Sequence, residues 1–314
     1  MRKRPLGNTG ISPSELALGT WGLSGDAYGP VPELEQDAVI ERAFALGITL
    51  FDTADSYGKG AMEQRLGRHL GKEPRASFAT KIGTDRARVP ARKCFTVAFL
   101  RESLARSRER LARDVIDIVL LHNPSLQALE KGDAPAWLSE QQRAGKIRAW
   151  GVSVGSLETG RAAVERGAQI LELVHNAFHT RELSEIATEI RDKNVGILAR
   201  SVLAHGLLCG QWPMTKEFPS GDHRAERWTR DDLRRRLNHL NALRPCVTGS
   251  VTSLRAAALR YVLNNELVGS AVLGPRSAVQ LDQLVRDAGK EPPYLSPEAQ
   301  SALERRLVSV GASA

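Results

Sequence analysis

The chain is predicted to be an α/β protein that folds as a closed (β/α)8 TIM barrel, and three features of its sequence support this. Short apolar runs alternate with longer amphipathic segments, a pattern typical of repeated strand–helix units. Eight such units can be counted, which favours a closed barrel over an open sheet. A length of 314 residues suits one barrel with its usual loops. We therefore predict a single domain over residues 1–314.

The predicted strands are short and mostly apolar, and each helix between them has apolar residues at helical spacing. In chain order the strands are Leu16–Gly19, Thr49–Thr53, Phe78–Lys81, Val115–His122, Ala149–Ser153, Ile170–Val174, Gly196–Arg200 and Val268–Leu273. The helices are Glu35–Leu46, Glu63–Leu70, Val97–Leu111, Ala134–Ala144, Leu157–Arg166, Leu183–Lys193, Leu254–Asn264 and Ala278–Ala288. The usual C-terminal stop of a helix, a glycine, follows several of them, at Gly47, Gly71, Gly145, Gly167 and Gly289.

Three segments lie outside this repeat. Residues Gly7–Gly10 are a turn signal, from which we predict an N-terminal hairpin that plugs the bottom of the barrel. A long insertion, from about Cys209 to Leu254, follows the seventh strand and becomes helical near Thr229–Leu243. Loops of this length are usually functional or disordered, and its position favours a role over the mouth of the barrel. The tail Ser296–Leu307 is predicted to form a C-terminal helix.

The charge of the chain leaves two interpretations open. The formal net charge is +8, but the basic residues mostly alternate with acids on predicted helices, as in Arg101–Arg113, which is typical of a solvated face. No aromatic residues interleave the arginine runs as a stacking platform would require, so we expect no nucleic-acid partner. The positive charge favours either solubility alone or the attraction of a phosphorylated cofactor.

No segment indicates export or a membrane span. The basic residues Arg2–Arg4 are not followed by an apolar stretch, so no signal peptide is predicted. The most apolar run, Val115–Leu121, contains Asp117 and is too short to cross a bilayer. Metal-ligand spacing is absent among the three cysteines, Cys94, Cys209 and Cys246. We expect a reduced, cytoplasmic protein with no membrane partner and no metal.

Four ionisable residues lie at the ends of three successive predicted strands. Asp52 and Tyr57 follow the second strand, Lys81 ends the third, and His122 ends the fourth. A parallel barrel gathers its strand exits on one face, so these side chains are expected to converge. Each has a plainer explanation when taken singly: a turn aromatic, a snorkelling lysine, a structural ion pair or a loop histidine. Taken together, the four favour catalysis.

This arrangement resembles the aldo-keto reductase family, whose tetrad is an Asp and a Tyr at one strand exit, then a Lys, then a His. The resemblance extends from Leu6–Gly10 to Val272–Arg276. It implies NADPH-dependent reduction of a small aldehyde or ketone, or the reverse alcohol oxidation, by direct hydride transfer. It also implies a role for each residue, since Tyr57 would be the general acid, Lys81 would lower the pKa of Tyr57, Asp52 would keep Lys81 charged, and His122 would orient the carbonyl oxygen.

A second function stays open at this point. The chain could bind NADPH as a regulatory or sensor protein, like the β-subunits of voltage-gated potassium channels, which share the fold of the family it resembles. The intact tetrad favours an enzyme, whereas altered residues near the nicotinamide keep the alternative alive. The physiological substrate and the reaction direction are beyond the sequence, because specificity resides in loops.

The predicted cofactor site lies in the late loops of the barrel. No Gly-x-Gly-x-x-Gly motif follows the first strand, which argues against a Rossmann site. Gly274–Ser277 places Arg276 beside a helix N-terminus, where N–H groups and a guanidinium suit the ribose 2′-phosphate of NADPH. Ser277 could also be an ordinary N-cap. Relatives often have an Arg at Gln280 and an Asn at Leu284, so the adenine contacts are expected to be reduced.

The residues predicted around the nicotinamide depart from the family pattern at three positions. The side chain of Val154 cannot hydrogen-bond, Glu172 replaces a Gln, and Arg200 replaces an aromatic residue. We expect Arg200 to lie flat beneath the ring and to be held there by Glu172; otherwise Arg200 faces solvent or the pyrophosphate and Glu172 binds the carboxamide alone. The resemblance implies cofactor contacts from Thr20, Trp21, Asp52, Ser153, Glu172, Arg200, Ser201, Leu203, Gly206, Leu208, Gly274, Arg276, Ser277, Gln280 and Gln283.

Overall fold

Eight parallel strands close into a barrel in the computed structural model, which describes residues 1–311; residues 312–314 of the predicted domain lie outside the described part. Each strand pairs with its neighbours in chain order, and β1 pairs with β8 to complete the ring. The predicted TIM barrel is confirmed, and every strand lies within two residues of its predicted bounds. These bounds are β1 Leu16–Gly19, β2 Leu50–Asp52, β3 Ser77–Ile82, β4 Ile116–His122, β5 Ile147–Ser153, β6 Ile170–Val174, β7 Gly196–Arg200 and β8 Val268–Leu273.

The helices surround the barrel, and one predicted helix differs from the observed structure. Leu183–Lys193 divides at Ile186, whose φ of −104° and ψ of 6° depart from helical geometry while its side chain is buried in the core. The helices are α1 Glu33–Ala45, α2 Ala61–Leu70, α3 Val97–Arg110, α4 Leu126–Glu130, α5 Ala134–Arg143, α6 Leu157–Glu165, α7 Arg181–Glu185, α8 Ala187–Lys193, α9 Arg224–Arg227, α10 Arg230–Ala242, α11 Leu254–Asn264, α12 Ala278–Ala288 and α13 Pro297–Ser309.

The strands bury apolar side chains on both faces, as strands of a parallel barrel do. The interior holds small and branched residues such as Ala79, Ile118 and Leu198, and the larger side chains of Phe51 and Trp150 pack outward against the helices. The filled interior leaves the two ends of the barrel as the places where polar side chains gather.

The N-terminal segment plugs the bottom of the barrel, as predicted. Its two arms pair through bonds from Leu6 N to Ile11 O (2.9 Å) and from Arg4 N to Pro13 O (3.0 Å). Leu6 is fully buried in the barrel interior. The turn needs glycine at Gly7, because its φ is +56° and an added Cβ would lie 2.4 Å from Asn194 O.

The insertion after β7 carries its own apolar cluster. The predicted helix is observed as α10, and its buried residues Leu233, Leu237 and Leu240 pack with residues of α11 and with Leu303 and Leu307 of α13. Trp212, Arg224 and Arg227 of the insertion lie at the carboxyl ends of the strands. A helix long and apolar enough to span a membrane is absent from residues 1–311.

A short hairpin that the sequence patterns did not predict follows β3. Its strands, Thr84–Asp85 and Arg92–Lys93, pair antiparallel. The chain enters it through Gly83, where φ is +107° and an added Cβ would meet the ring of Phe95 at 2.3 Å. Strands of two residues have no detectable alternation, which is why the pattern did not reveal them.

Candidate active site

Lys81 is the centre of a buried charged group at the carboxyl end of the barrel. Its Nζ donates to Asp52 Oδ1 at 2.7 Å and to Thr53 O at 3.1 Å. Adjacent strands β2 and β3 supply the two side chains, and both are almost fully buried. The convergence predicted for this pair is therefore present in the structure.

Tyr57 and His122 lie beside this pair. Lys81 Nζ is 5.3 Å from the centre of the Tyr57 ring, and the His122 ring meets the Tyr57 ring edge-on with centroids 6.0 Å apart. Tyr57 opens a short 3-10 turn in which Gly58 has a φ of 57°. The turn returns the phenol over the strand end, so all four predicted residues occupy one location.

These four residues open into one large cavity. Its volume is about 640 Å³, and its lining reaches from the tetrad across the mouth of the barrel to the start of α12. Most of the predicted cofactor contacts line it. They are Trp21, Asp52, Ser153, Glu172, Arg200, Ser201, Leu203, Gly206, Gly274, Arg276, Gln280 and Gln283.

Three predicted cofactor contacts do not line the cavity. Thr20 is fully buried, and its hydroxyl donates to Asp52 O at 3.1 Å. Leu208 packs in the apolar cluster under the insertion. Ser277 accepts from Gln280 N and caps α12, which was its alternative interpretation. The polar groups of Thr20 and Ser277 and the apolar side chain of Leu208 are therefore used in contacts within the fold.

Glu172 places a second carboxylate next to Lys81. The distance from Lys81 Nζ to Glu172 Oε2 is 3.3 Å, but Oε2 has no hydrogen-bond partner among residues 1–311, so the contact is an ion pair only. Two carboxylates thus share one buried ammonium. Burial, followed by the charge of Glu172, raises the pKa of Asp52 to about 7.

The pKa of Lys81 is raised despite its burial. Burial alone favours the neutral amine, but the charges of Asp52 and Glu172 outweigh it and hold the ammonium form. This agrees with the predicted role of Asp52. Lys81 acts to lower the pKa of Tyr57, as predicted, but burial raises that pKa by more and the two carboxylates raise it further, so the net pKa lies above its usual value.

The predicted ion pair between Glu172 and Arg200 is not formed among residues 1–311. Arg200 donates from Nη2 to Val154 O at 3.0 Å, and within the described chain its Nε has no hydrogen-bond partner. In the register of β6 and β7, Glu172 lies opposite Leu198 and Arg200 lies opposite Val174, so Glu172 and Arg200 are not paired across the two strands. Val154 contributes its backbone carbonyl oxygen to the contact with Arg200.

Arg276 already has partners at the start of α12. Its Nη2 donates to Gly29 O at 3.0 Å and to Pro30 O at 2.9 Å, which ties the β1–α1 loop to the β8–α12 loop. Its buried Nε is without a hydrogen-bond partner in the part of the chain described. The guanidinium thus holds a fixed position at the cavity edge and keeps a free donor.

Aromatic and basic residues that the sequence patterns missed cover the cavity. Tyr28 hydrogen-bonds His205 at 3.2 Å between its hydroxyl and Nδ1, and Arg224 lies 4.6 Å above the Tyr28 ring while pairing with Asp222 at 2.5 Å. These residues come from two distant loops without strand periodicity. For those in the insertion, the available signal was the run of Arg224, Arg227 and Trp228. Other lining residues missed in this way are Arg86, Trp212, Arg227 and Arg255.

The barrel agrees with what comparison with known proteins shows. The model of the Aldo/keto reductase family matches residues 15–292. The chain belongs to this family. It is 30% identical over 294 residues to L-galactose dehydrogenase from Arabidopsis thaliana, covering 90% of this chain and 86% of that protein.

Two further matches cover nearly the whole aldo/keto reductase chain. The NADH-specific methylglyoxal reductase of Escherichia coli is 28% identical over 307 residues, covering 91% of this chain and 93% of that protein. The solved structure of a glycerol dehydrogenase from Gluconobacter oxydans has a TM-score of 0.85 at 26% identity, covering 99% of this chain and 97% of that one. These relatives carry enzyme names and give no support to the regulatory or sensor alternative.

Members of this family use nicotinamide cofactors, and the cavity has groups suited to one. Glu172 Oε2, Arg200 Nε and Arg276 Nε are buried polar atoms that border the cavity and lack hydrogen-bond partners among residues 1–311. Buried polar groups normally find partners. An acceptor beside the tetrad and two guanidinium donors farther out match a carboxamide at one end and phosphates at the other.

Proposed function

We propose that this oxidoreductase of the aldo/keto reductase family catalyses hydride transfer between NADP(H) and a small aldehyde or ketone, or the reverse oxidation of an alcohol. The observation that carries the proposal is the contact of Lys81 with Asp52 at 2.7 Å, directly beneath the phenol of Tyr57 and beside His122. A phenol next to a fixed ammonium and open to a cavity is suited to giving up a proton on demand.

The tetrad handles the proton of the reaction. When bound, NADP(H) supplies or accepts the hydride. As negative charge develops on the carbonyl oxygen, the Tyr57 hydroxyl donates its proton to that oxygen, and Lys81 stabilises the resulting phenolate. Asp52 keeps Lys81 protonated and in place, with Thr53 O fixing a second direction of its ammonium. In alcohol oxidation the same proton returns to Tyr57.

His122 acts as a neutral hydrogen-bond donor in this proposal. Burial, together with the positive charges of Lys93, Lys81 and Arg200, lowers the pKa of His122 well below its usual value. A neutral imidazole can donate to the carbonyl oxygen without competing with Tyr57 as the acid. Two donors then define the position of the oxygen before proton transfer begins.

The raised pKa of Tyr57 fits an acid that holds its proton until the transition state. A phenol with a high pKa does not ionise in the resting site, and Lys81 stabilises the phenolate only once it forms. Glu172 makes this balance more negative than one carboxylate and one ammonium would. Arg200 opposes that change, since its charge acts to lower the pKa values of both Asp52 and Tyr57.

NADP(H) is proposed over NAD(H) because of Arg276. Its guanidinium is anchored by Gly29 O and Pro30 O beside the N-terminus of α12, where helix N–H groups and the free Nε suit a phosphate. The backbone N–H of Arg276 already donates to Gln280 Oε1 at 2.9 Å, so this N–H is not free for a phosphate. The NADH-specific methylglyoxal reductase among the relatives makes a direct comparison of both cofactors necessary.

The test is a cofactor-consumption assay with the purified protein. We expect loss of absorbance from NADPH with at least one member of a panel of small aliphatic, sugar and aromatic aldehydes, and a lower rate with NADH. The Tyr57→Phe variant, matched in size, is the control for the tetrad. Absence of turnover with every carbonyl, and of cofactor reduction with the corresponding alcohols, would contradict the proposal.

A further inference from the structure

The hairpin that follows β3 brings a lysine and a threonine to the back of His122. Thr84 and Lys93 lie directly opposite each other in its antiparallel register. Lys93 Nζ donates to Thr84 Oγ1 at 2.9 Å, and Thr84 Oγ1 lies 3.4 Å from Nδ1 of His122. The three side chains form one short hydrogen-bonded series that ends on the imidazole.

The direction of the first hydrogen bond in this series follows from the groups themselves. An ammonium carries only donors, so Thr84 is the acceptor in its contact with Lys93. The single hydroxyl hydrogen of Thr84 is then free to point at His122 Nδ1. A neutral imidazole that accepts at Nδ1 must carry its proton on Nε2.

The surroundings of His122 keep the imidazole neutral, so its one ring proton lies on either Nδ1 or Nε2. The charged groups that act on it are Lys93, Lys81 and Arg200, all cationic, and its ring packs edge-on against Tyr57. Among the described residues, Thr84 is the hydrogen-bond partner found for the ring. Without such a partner, either nitrogen could carry the proton.

We propose that Thr84 and Lys93 are positioning residues that fix the Nε2–H tautomer of His122. The nitrogen turned away from Thr84 is then always a donor, ready for the substrate oxygen. The inference rests on the proposed function, because a carbonyl oxygen is the intended acceptor. Neither residue lines the cavity, so both act only through the imidazole.

The tautomer can be read without turnover by ¹⁵N NMR of histidine-labelled protein. Seven histidines are present, so a His122→Asn variant assigns the resonances of His122. We expect the wild-type shifts of a protonated Nε2 and an accepting Nδ1, and in Thr84→Val a mixture of both tautomers. Thr84→Ser, which keeps the hydroxyl, should restore the wild-type shifts. Lys93→Met should give an intermediate result, because the Thr84 hydroxyl loses the donor that orients it.

Kinetics supply the second readout. A wrong tautomer leaves binding groups intact but removes a transition-state donor, so kcat in Thr84→Val should fall about 10-fold with KM within about twofold. Wild-type His122 with its proton on Nδ1, or shifts that are the same in Thr84→Val, would overturn the proposal. Loss of activity in Thr84→Ser equal to that in Thr84→Val would also overturn it. An inactive wild-type protein with the expected NMR shifts would refute the proposed function but leave the tautomer assignment standing.

Discussion

The two ends of the barrel each bury a carboxylate, a cation and a phenol. At the top all three, Asp52, Lys81 and Tyr57, line one cavity, whereas at the bottom only the carboxylate of Glu15 is among the lining residues of the cavity found there. At the bottom, Arg4 pairs with Glu15 at 3.2 Å, and Tyr294 donates to the same carboxylate at 2.5 Å. Arg4 lies 5.6 Å from the centre of the Tyr294 ring, close to the 5.3 Å that separates Lys81 from the Tyr57 ring at the top. The residue types therefore do not distinguish a catalytic group from a structural one.

The difference lies in what remains unsatisfied. Arg4 also donates to Leu263 O at 2.6 Å and to Val268 O at 3.0 Å, so its donors are occupied by the backbone that closes the barrel. One carboxylate there balances one cation. At the top, two carboxylates share one ammonium, and the polar atoms of Glu172 and Arg200 face the cavity without hydrogen-bond partners in the described chain. A network whose hydrogen bonds are all formed stabilises the fold. A network that leaves polar atoms without partners at a cavity can bind a ligand there.

The largest effect is expected from removing the phenol at the top. Tyr57→Phe should lower kcat by about 10²–10⁴-fold, because the proton is needed only as charge develops in the transition state. Its NADPH affinity, measured by fluorescence titration, should stay within a few-fold. Tyr294→Phe is the matched change at the bottom and should leave kcat unaltered while lowering the free energy of unfolding by about 1 kcal/mol. Most of the wild-type rate surviving in Tyr57→Phe would refute the assignment of the acid.

Breaking the bottom pair should affect stability and not chemistry. Arg4→Met leaves Glu15 buried without its cation and should lower the free energy of unfolding by about 3–5 kcal/mol. Urea denaturation measures this loss, and kcat at a temperature where the variant is folded should match the wild type. An unfolding curve of Arg4→Met that matches the wild type would show that the pair of Arg4 and Glu15 does not stabilise the closed barrel.

The contacts of Arg276 separate the two cofactors. A charge-assisted bond to a phosphate contributes about 1.5–3 kcal/mol, so Arg276→Ala should weaken NADPH binding by about 10–100-fold. NADH affinity should hardly change. Because Arg276 also ties the β1–α1 loop through Gly29 O and Pro30 O, an Arg276→Lys variant controls for loss of positive charge. Equal losses for NADPH and NADH in Arg276→Ala would mean that the side chain serves only the loop.

The smallest effect concerns the extra carboxylate at the top. Asp52 must be ionised to hold Lys81, and its pKa, raised to about 7 by burial and then by Glu172, places the loss of that charge on the acidic side of neutrality. Activity should therefore fall as the pH drops through about 7. Glu172→Gln removes the neighbouring negative charge, lowers the pKa of Asp52 and moves the acid limb of the kcat profile to lower pH. A limb that stays in place would show that Glu172 does not act on Asp52.

Much of the site was predictable because strand exits are local features. An apolar run that ends in one polar residue identifies Asp52, Lys81 and His122 without any knowledge of their neighbours. The parallel barrel then requires these exits to share a face, so convergence followed from counting units. Thr20, Leu208 and Ser277 were assigned by resemblance alone, and their side chains do not line the cavity.

The sequence by itself determined the barrel, the order of its strands and the tetrad, since periodicity and strand ends are properties of short stretches. Only the tertiary structure decided that Glu172 pairs with Lys81 and not with Arg200, and that Arg276 bonds Gly29 and Pro30. It also decided that a hairpin with two-residue strands brings Thr84 next to His122. The physical reason is that a buried polar group takes whichever partner the closed barrel brings within about 3 Å, and that distance depends on every strand at once.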